Sequence, residues 1–298
     1  MIKLERFQHI SVLGAAGKMG SGILLLNVLH SAKMKHLPDF VGKTFVINAI
    51  DQSYDQLDQV NDYLKVQVQK WAESNIIWLR KAFNNRPHLI DNKDVIETFV
   101  FEALSLVKPA ITKEAAYQST LVFEAIVEDE GVKAEVLGDI KANNPHDPWF
   151  LTNTSSIPIH VLDEKAKLGG NIIGCHFYNP PAVQKLIEVI ETKNGNPDLL
   201  HLVNGFGKEM KKIMVPSNDV AGFIGNGFFM REILYAGQLV NRLMPELYLT
   251  DAITAVDIIT RDLLVRPMGI FQLIDYVGID VCHFILEVMA YYLDKEME

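Results

Sequence analysis

Up to about residue 216, short apolar runs alternate with longer stretches in which apolar residues recur every three or four positions. The short runs, bounded by glycine, proline or polar clusters, read as buried strands, and the longer ones as helices with one face inward. Strands are expected over residues 9–13, 44–50 and 121–127, in Trp149-Phe150-Leu151, in Ile172-Ile173-Gly174, and over 186–190 and 213–215. Helices are expected over 23–36, from 54 to about 85, over 131–143, and after the turn at 193–197 through Lys212. Residues 86–120 receive no element, and 163–171 read as a polar connection. After Pro216 only helical spacing remains, over 222–244, 250–264, 268–277 and 280–294. The alternation predicts an α/β fold with a Rossmann-like doubly wound parallel sheet, and the remainder a small all-helical domain. The expected boundary separates residues 1–215 from 216–298. No internal repeat or low-complexity segment interrupts either part.

A chain of 298 residues is long enough for two cores. Hydrophobic content of 49% against 22% charged residues describes an ordinary globular protein. A net charge of −9 and an isoelectric point near 5.5 argue against a nucleic-acid or anionic-membrane partner. They leave room for a small polyanion, which needs only local positive potential. Apolar runs such as Ile23-Leu24-Leu25-Leu26 are too short to span a membrane. Cys175 and Cys282 lie too far apart to suggest a disulfide framework or a zinc site, and no metal is expected. Cys175 reads as a buried inert thiol rather than a nucleophile. Met1-Ile-Lys-Leu-Glu-Arg leads directly into an apolar strand, with no signal or transit pattern, so a reducing cytoplasmic compartment is expected.

The first predicted strand runs into Gly14-Ala15-Ala16-Gly17-Lys18-Met19-Gly20-Ser21-Gly22 and then a helix. Strand, glycine-rich turn and helix are the context of a dinucleotide fingerprint, where backbone N–H groups approach a pyrophosphate. Aligned on Gly17 and Gly20, the first glycine position falls on Ala15, with Gly14 one residue early. A purely structural turn remains the alternative. Asp51, at the end of the next strand, is placed to bind a ribose 2′-hydroxyl and repel a 2′-phosphate, which favours NAD over NADP. The intervening stretch is longer than the usual βαβ spacing, and Asp51 also reads as a turn-initiating aspartate.

Asn153-Thr154-Ser155-Ser156, Cys175-His176-Phe177-Tyr178-Asn179-Pro180-Pro181 and Glu188 put a hydroxyl, an imidazole and a carboxylate at strand ends or within strands. Each is unfavourable to bury alone. A carboxylate beside an imidazole raises its basicity, as proton abstraction from a hydroxyl requires. The residues themselves equally allow a structural ion pair.

Taken together, these stretches resemble the L-3-hydroxyacyl-CoA dehydrogenase family. The resemblance is carried by Gly17-Lys-Met-Gly-Ser-Gly-Ile23, Phe123-Glu-Ala-Ile-Val-Glu128, Asn153-Thr-Ser-Ser156, Gly174-Cys-His-Phe-Tyr-Asn-Pro180 and Lys185-Leu-Ile-Glu-Val-Ile190. Ala221-Gly-Phe-Ile224 with Asn226, and Pro267-Met-Gly with Leu273-Ile-Asp-Tyr-Val-Gly-Ile-Asp280, extend it over nearly the whole chain. It implies that His176 and Glu188 are the catalytic pair, with Ser155 and Asn226 contacting substrate. It implies NAD bound by residues 14–20 (Gly14, Ala15, Ala16, Gly17, Lys18, Met19, Gly20) and Asn153, with Asp51 at the adenosine ribose and Glu128, Lys133, Ser155 and Asn179 near the nicotinamide. The substrate implied is an acyl-CoA, and exposed apolar helix faces in the C-terminal helical domain would suit a homodimer. Asn226 is followed by Gly227 where the family usually has arginine, and the chain stops at Glu298 without the family's terminal Gly-Lys-x-Thr-Gly-x-Gly-Phe-Tyr-like motif.

The implied reaction is oxidation of the 3-hydroxyl of a 3-hydroxyacyl-CoA, as in fatty-acid β-oxidation. His176, oriented by Glu188, takes the hydroxyl proton, while Ser155 and Asn226 stabilise developing negative charge. The alternatives are a dehydrogenase of a free hydroxy acid or sugar acid, and a binding or structural protein that keeps the fold without turnover.

Overall fold

The first strand, β1 (His9–Leu13), buries every residue but its first. Parallel neighbours flank it on both sides: β2 (Val46–Ile50) and β4 (Leu121–Glu124). With β3 (Val107–Ala110), β5 (Trp149–Thr152), β6 (Ile172–Phe177), β7 (Leu186–Ile190) and β8 (Ile213–Ser217), it forms one sheet in the order β3-β2-β1-β4-β5-β6-β7-β8. This is the computed structural model of the chain, and it describes residues 3–293. The central strands β4, β5 and β6 are buried along their whole length, as strands covered on both faces must be. Helices α1 (Gly20–Met34), α2 (Tyr54–Ser74), α3 (Ile76–Ala82), α4 (Asn92–Leu104), α5 (Glu130–Asn143), α6 (Ile159–Ala166) and α7 (Pro197–Glu209) provide the crossovers. The core beneath them runs from Phe7 and Ile10 through Leu24, Leu64 and Phe99 to Phe206.

The sheet departs from all-parallel at one place. β7 pairs antiparallel with β6, in a register that sets His176 opposite Glu188. The connection between them is a short loop, and a parallel pairing needs a crossover of a dozen or more residues.

Four further elements differ from the expected pattern. The helix expected from 54 to 85 is broken at Asn75, whose φ of −119° and ψ of 24° leave the helical region and whose side chain caps Trp71 O. The unassigned stretch holds α4 and the edge strand β3, which lacks an apolar run because only its ends are half-buried. The strand expected to reach residue 127 ends at Glu124, because its side-chain Oε1 accepts Ile126 N–H at 2.8 Å and turns the chain. The polar connection at 163–171 begins inside α6, whose buried face is only Ile159, Leu162 and Ala166.

By contact the chain divides into two units, one holding the residues up to Thr154 together with Ile159–Ser217, the other Ser155–Pro158 together with the residues from Asn218 onward. Among the described residues, the secondary structure of the second is helical: α8 (Gly225–Leu243), α9 (Leu249–Ile258), α10 (Ile270–Val277) and α11 (Ile279–Tyr292). Its helix expected over 250–264 closes early, in a π-helical turn at Ile259–Leu263. There Thr260 Oγ1 donates to Val256 O and accepts Ile270 N–H, so a side chain takes over helix hydrogen bonding. The last position of the helix expected over 280–294 lies outside the described residues. Met230 and Met289 centre one small core in this unit, and Val240, Ala252 and Val256 another.

Candidate functional site

The turn after β1 is built from three glycines, 14, 17 and 20. Gly14 has φ +73°, and a Cβ there would meet Ala125 O at 2.3 Å. A Cβ on Gly20 would meet Gly14 O at 1.9 Å, so the turn closes on itself without room for a side chain. Gly17 N–H bonds Gly14 O at 3.0 Å, and α1 then starts at Gly20 with no side-chain cap from Met19. The first glycine of the turn is therefore Gly14, not position 15, where Ala15 is fully buried in the core. A helix whose first N–H groups lack a side-chain cap, approached by a glycine turn, suits a pyrophosphate. Lys18 projects to solvent and Ala16 N–H donates to Asp51 Oδ2 at 2.8 Å. Asp51 Oδ1 takes Gln52 N–H at 2.7 Å, so the carboxylate is held at the rim of the turn from both sides.

Beyond the next strand lies a buried charged cluster. Lys133, only 1% exposed on α5, places Nζ 2.6 Å from Glu124 Oε1 and 3.2 Å from Glu128 Oε2. Glu124 is fully buried and also accepts from Thr152 Oγ1 at 2.6 Å, while Glu128 accepts from Thr154 Oγ1 at 2.6 Å. Burial alone would lower the Lys133 ammonium's pKa; the two carboxylates outweigh it and hold the value above the ordinary lysine range. One cation among two carboxylates and two hydroxyls is a fully engaged network, the only form in which such groups are stable inside.

At the far side of the sheet, His176 Nδ1 lies 3.3 Å from Glu188 Oε1 across the β6–β7 ladder. Glu188 is fully buried and His176 is 7% exposed. The Tyr178 hydroxyl donates to the same Glu188 oxygen. Asn153 ties the neighbouring strand end to this one, its side-chain oxygen accepting Phe177 N–H at 2.9 Å. Asn179 is exposed just beyond the strand. Burial pushes the Cys175 thiol up to about 12, which leaves it protonated and unreactive at neutral pH.

The second unit holds the remaining pair. Asn226, in the first turn of α8, donates from Nδ2 to Ser155 O at 3.1 Å. Ser156 O takes Gly222 N–H at 3.2 Å, and Gly222, at φ +77°, is packed against Met289. The Ser155–Pro158 segment is thus anchored to the start of α8. Beside Gly227, Arg231 donates to Gly227 O at 2.9 Å.

The first unit also carries a groove of about 710 Å³ between α1 and the C-terminal half of α2. Its walls include the indoles of Trp71 and Trp78, and Lys70, Lys211 and the Lys33–Glu209 pair stand around it.

Two family models match along the chain, the 3-hydroxyacyl-CoA dehydrogenase NAD-binding domain over residues 9–220 and the C-terminal domain of the same family over residues 222–298. The chain belongs to the 3-hydroxyacyl-CoA dehydrogenase family. Its members are NAD-dependent oxidoreductases, and the cofactor of this dehydrogenase is NAD. Mitochondrial hydroxyacyl-coenzyme A dehydrogenase of Sus scrofa is 29% identical over 281 residues, spanning 94% of this chain and 79% of the relative. The fatty acid oxidation complex subunit alpha of Pseudomonas syringae is 31% identical over 193 residues, 63% of this chain and 25% of that protein. Among solved structures, M. tuberculosis FadB2 superposes with a TM-score of 0.71 at 25% identity, covering 97% of this chain and 90% of that one. The glycine turn and Asp51 fit NAD: the cradle at Gly14 and Gly20 has no space for a Cβ, and the carboxylate stands at its rim.

Among the predicted residues, the structure brings together Glu128 with Lys133, His176 with Glu188, Asp51 with Ala16, and Ser155 with Asn226. Three groups of this dehydrogenase escaped the pattern: Glu124, which sits in an apolar run, Thr152, and Tyr178. Glu124 had a signal, since a lone carboxylate in a buried strand demands a cation. The tyrosine had none, because an aromatic at a strand end reads as core.

Proposed function

We propose that this dehydrogenase oxidises the 3-hydroxyl of a 3-hydroxyacyl-CoA to the 3-oxoacyl-CoA with NAD, as in fatty-acid β-oxidation. The observation that carries the reading is the buried His176–Glu188 pair, an imidazole with one nitrogen turned to a carboxylate. With Nδ1 bonded to Glu188, Nε2 is the nitrogen assigned to accept the proton of the substrate hydroxyl. Glu188 holds the ring in one tautomer and stabilises the imidazolium as it forms. Ser155 and Asn226 are the proposed donors to substrate oxygens where charge develops. NAD, when bound, supplies the hydride acceptor. Gly14, Gly17 and Gly20 with the amides of residues 15–19 are the proposed cradle for its pyrophosphate, Asp51 for its ribose, and Glu128, Lys133, Asn153 and Asn179 for its nicotinamide side. The groove of indoles and lysines suits the nucleotide end of CoA, whose adenine stacks and whose phosphates are anionic.

Spectrophotometric NADH formation tests the reading. A 3-hydroxyacyl-CoA should support turnover, and the matching free hydroxy acid or a sugar acid should not. Turnover with the free acid alone, or with none of them, would replace the proposal by a hydroxy-acid dehydrogenase or a protein without turnover. The fatty acid oxidation complex relative supports the pathway assignment.

Cofactor choice is the second expectation. Asp51 should make NADPH bind at least about tenfold more weakly than NADH, the effect of one carboxylate beside a 2′-phosphate. Asp51→Asn keeps an acceptor for Ala16 N–H but removes the charge, and should narrow that gap. Equal affinities in the unaltered protein, read by cofactor fluorescence titration, would defeat it.

We further propose a homodimer formed through the C-terminal helices, supported by the apolar residues they expose, among them Phe228, Tyr276 and Tyr291. Sedimentation giving a monomer at micromolar concentration would refute it. Cytoplasmic residence is proposed on the two free thiols, Cys175 and Cys282, and cell fractionation checks it.

A further inference from the structure

Two donors meet on one carboxylate oxygen. Glu188 Oε1 lies 3.3 Å from His176 Nδ1, and the same atom accepts the Tyr178 hydroxyl. Tyr178 follows His176 by two residues, so one strand end supplies both. Its ring also lies against the imidazole, with centroids 5.1 Å apart and planes inclined by 36°. Burial first, and then the Glu188 carboxylate, push the phenol well above its ordinary pKa, so it stays protonated and remains a donor at any pH where the protein is folded and active.

A carboxylate oxygen that already accepts a bond from a phenol offers less charge to a second donor. The tyrosine also restrains the carboxylate at the oxygen that faces the imidazole. We propose that Tyr178 is a positioning residue for the catalytic pair: its hydroxyl holds the Glu188 carboxylate facing His176 and tempers the negative charge that the imidazole feels. The inference rests on the reading of His176 as the proton acceptor.

Ionisable groups on the elements packed against β6 have partners of their own or face solvent. β5, on its other side, spans Trp149–Thr152 and carries none. From α6, Asp163 bonds Gly170 N–H and Lys165 pairs with Glu130, while His160 and Glu164 are exposed. From α7, Asp198 pairs with Lys3 and Glu209 with Lys33, and His201 and Lys208 are exposed. β8, beyond β7, carries none.

Tyr178→Phe keeps the ring against the imidazole and deletes only the hydroxyl. Glu188 then presents more of its charge to Nδ1, which favours the imidazolium. The acid-side limb of the pH–rate profile for 3-hydroxyacyl-CoA oxidation should therefore move up by about half to one pH unit, the worth of one ordinary hydrogen bond. Plateau turnover should fall about three- to tenfold as the carboxylate loses a restraint, with the KM for NAD unchanged. Replacing Tyr178 by 3-fluorotyrosine, a stronger donor, should move the limb the opposite way, and it serves if the Phe variant does not fold. A merely structural tyrosine would lower the melting temperature and leave the limb in place. An unmoved limb, or one that moves down in Tyr178→Phe, overturns the proposal. Retained turnover in His176→Gln sinks both this inference and the base assignment; lost turnover there with an unmoved limb in Tyr178→Phe sinks this inference alone.

Discussion

His176→Gln should cut turnover by roughly 10²–10⁴ while NADH binding stays as it was, the span that a positioned general base contributes. The substitution is chosen for what it keeps. A glutamine amide is close to imidazole in reach and can still donate to Glu188, so the buried carboxylate does not lose its partner. What it lacks is a basic nitrogen. The cradle around Gly14 and Gly20 lies on the turn after β1, with β4 and β5 between it and β6, so the cofactor's hold on that turn should not register the change. Steady-state rates and an NADH titration on the same preparation decide it. Turnover within about threefold of the unaltered protein would mean that the pair is structural and that the proton leaves by another route.

Lys133→Met should be the most destabilising single change in the first unit, by about 3–5 kcal/mol. The lysine is 1% exposed between Glu124, at 0%, and Glu128. Removing it takes the ammonium from between two carboxylates, one of which, Glu124, has no access to water. A loss of this size corresponds to a melting temperature lower by on the order of 10 °C for a unit of about two hundred residues. Adding Glu124→Gln should restore part of it, because the stranded charge is then gone. The dependence on pH has a definite sign. The folded Lys133 pKa is raised, so its contribution is complete at neutral pH and is lost only as pH rises through that value. A melting temperature that barely moves would show that water or a shifted side chain replaces the ammonium.

Most of the sheet was legible because parallel strands buried on both faces leave unbroken apolar runs, as in Leu121-Val122-Phe123 and Ile172-Ile173. β3 was not legible, since an edge strand needs burial on few positions and Val107-Lys108-Pro109-Ala110 offers little apolar signal. The break at Asn75 was hidden for a different reason: the apolar spacing continues through Ile76 and Leu79, and only a side-chain cap separates the helices. Of the site, His176 and Glu188 were legible as residue types, but their mutual placement depends on strand direction, which spacing does not encode. The cluster around Lys133 illustrates the same limit. Glu128 and Lys133 stand out by resemblance, whereas Glu124 is visible as a partner only once α5 lies over β4.

The antiparallel ladder between β6 and β7 has a consequence for how this region tolerates insertions and deletions. Side chains alternate along a strand, so one residue gained or lost inside either strand would send His176 and Glu188 to opposite faces of the sheet. The connection between the strands is under no such constraint, because register is set by the ladder rather than by the count of residues in the loop. Length changes between Asn179 and Lys185 should therefore be neutral for the pairing of His176 with Glu188, whereas a single-residue change within 172–177 or 186–190 should be lethal to it. Chains that share this pair would then be recognised by its register across the two strands and not by a fixed interval in the sequence.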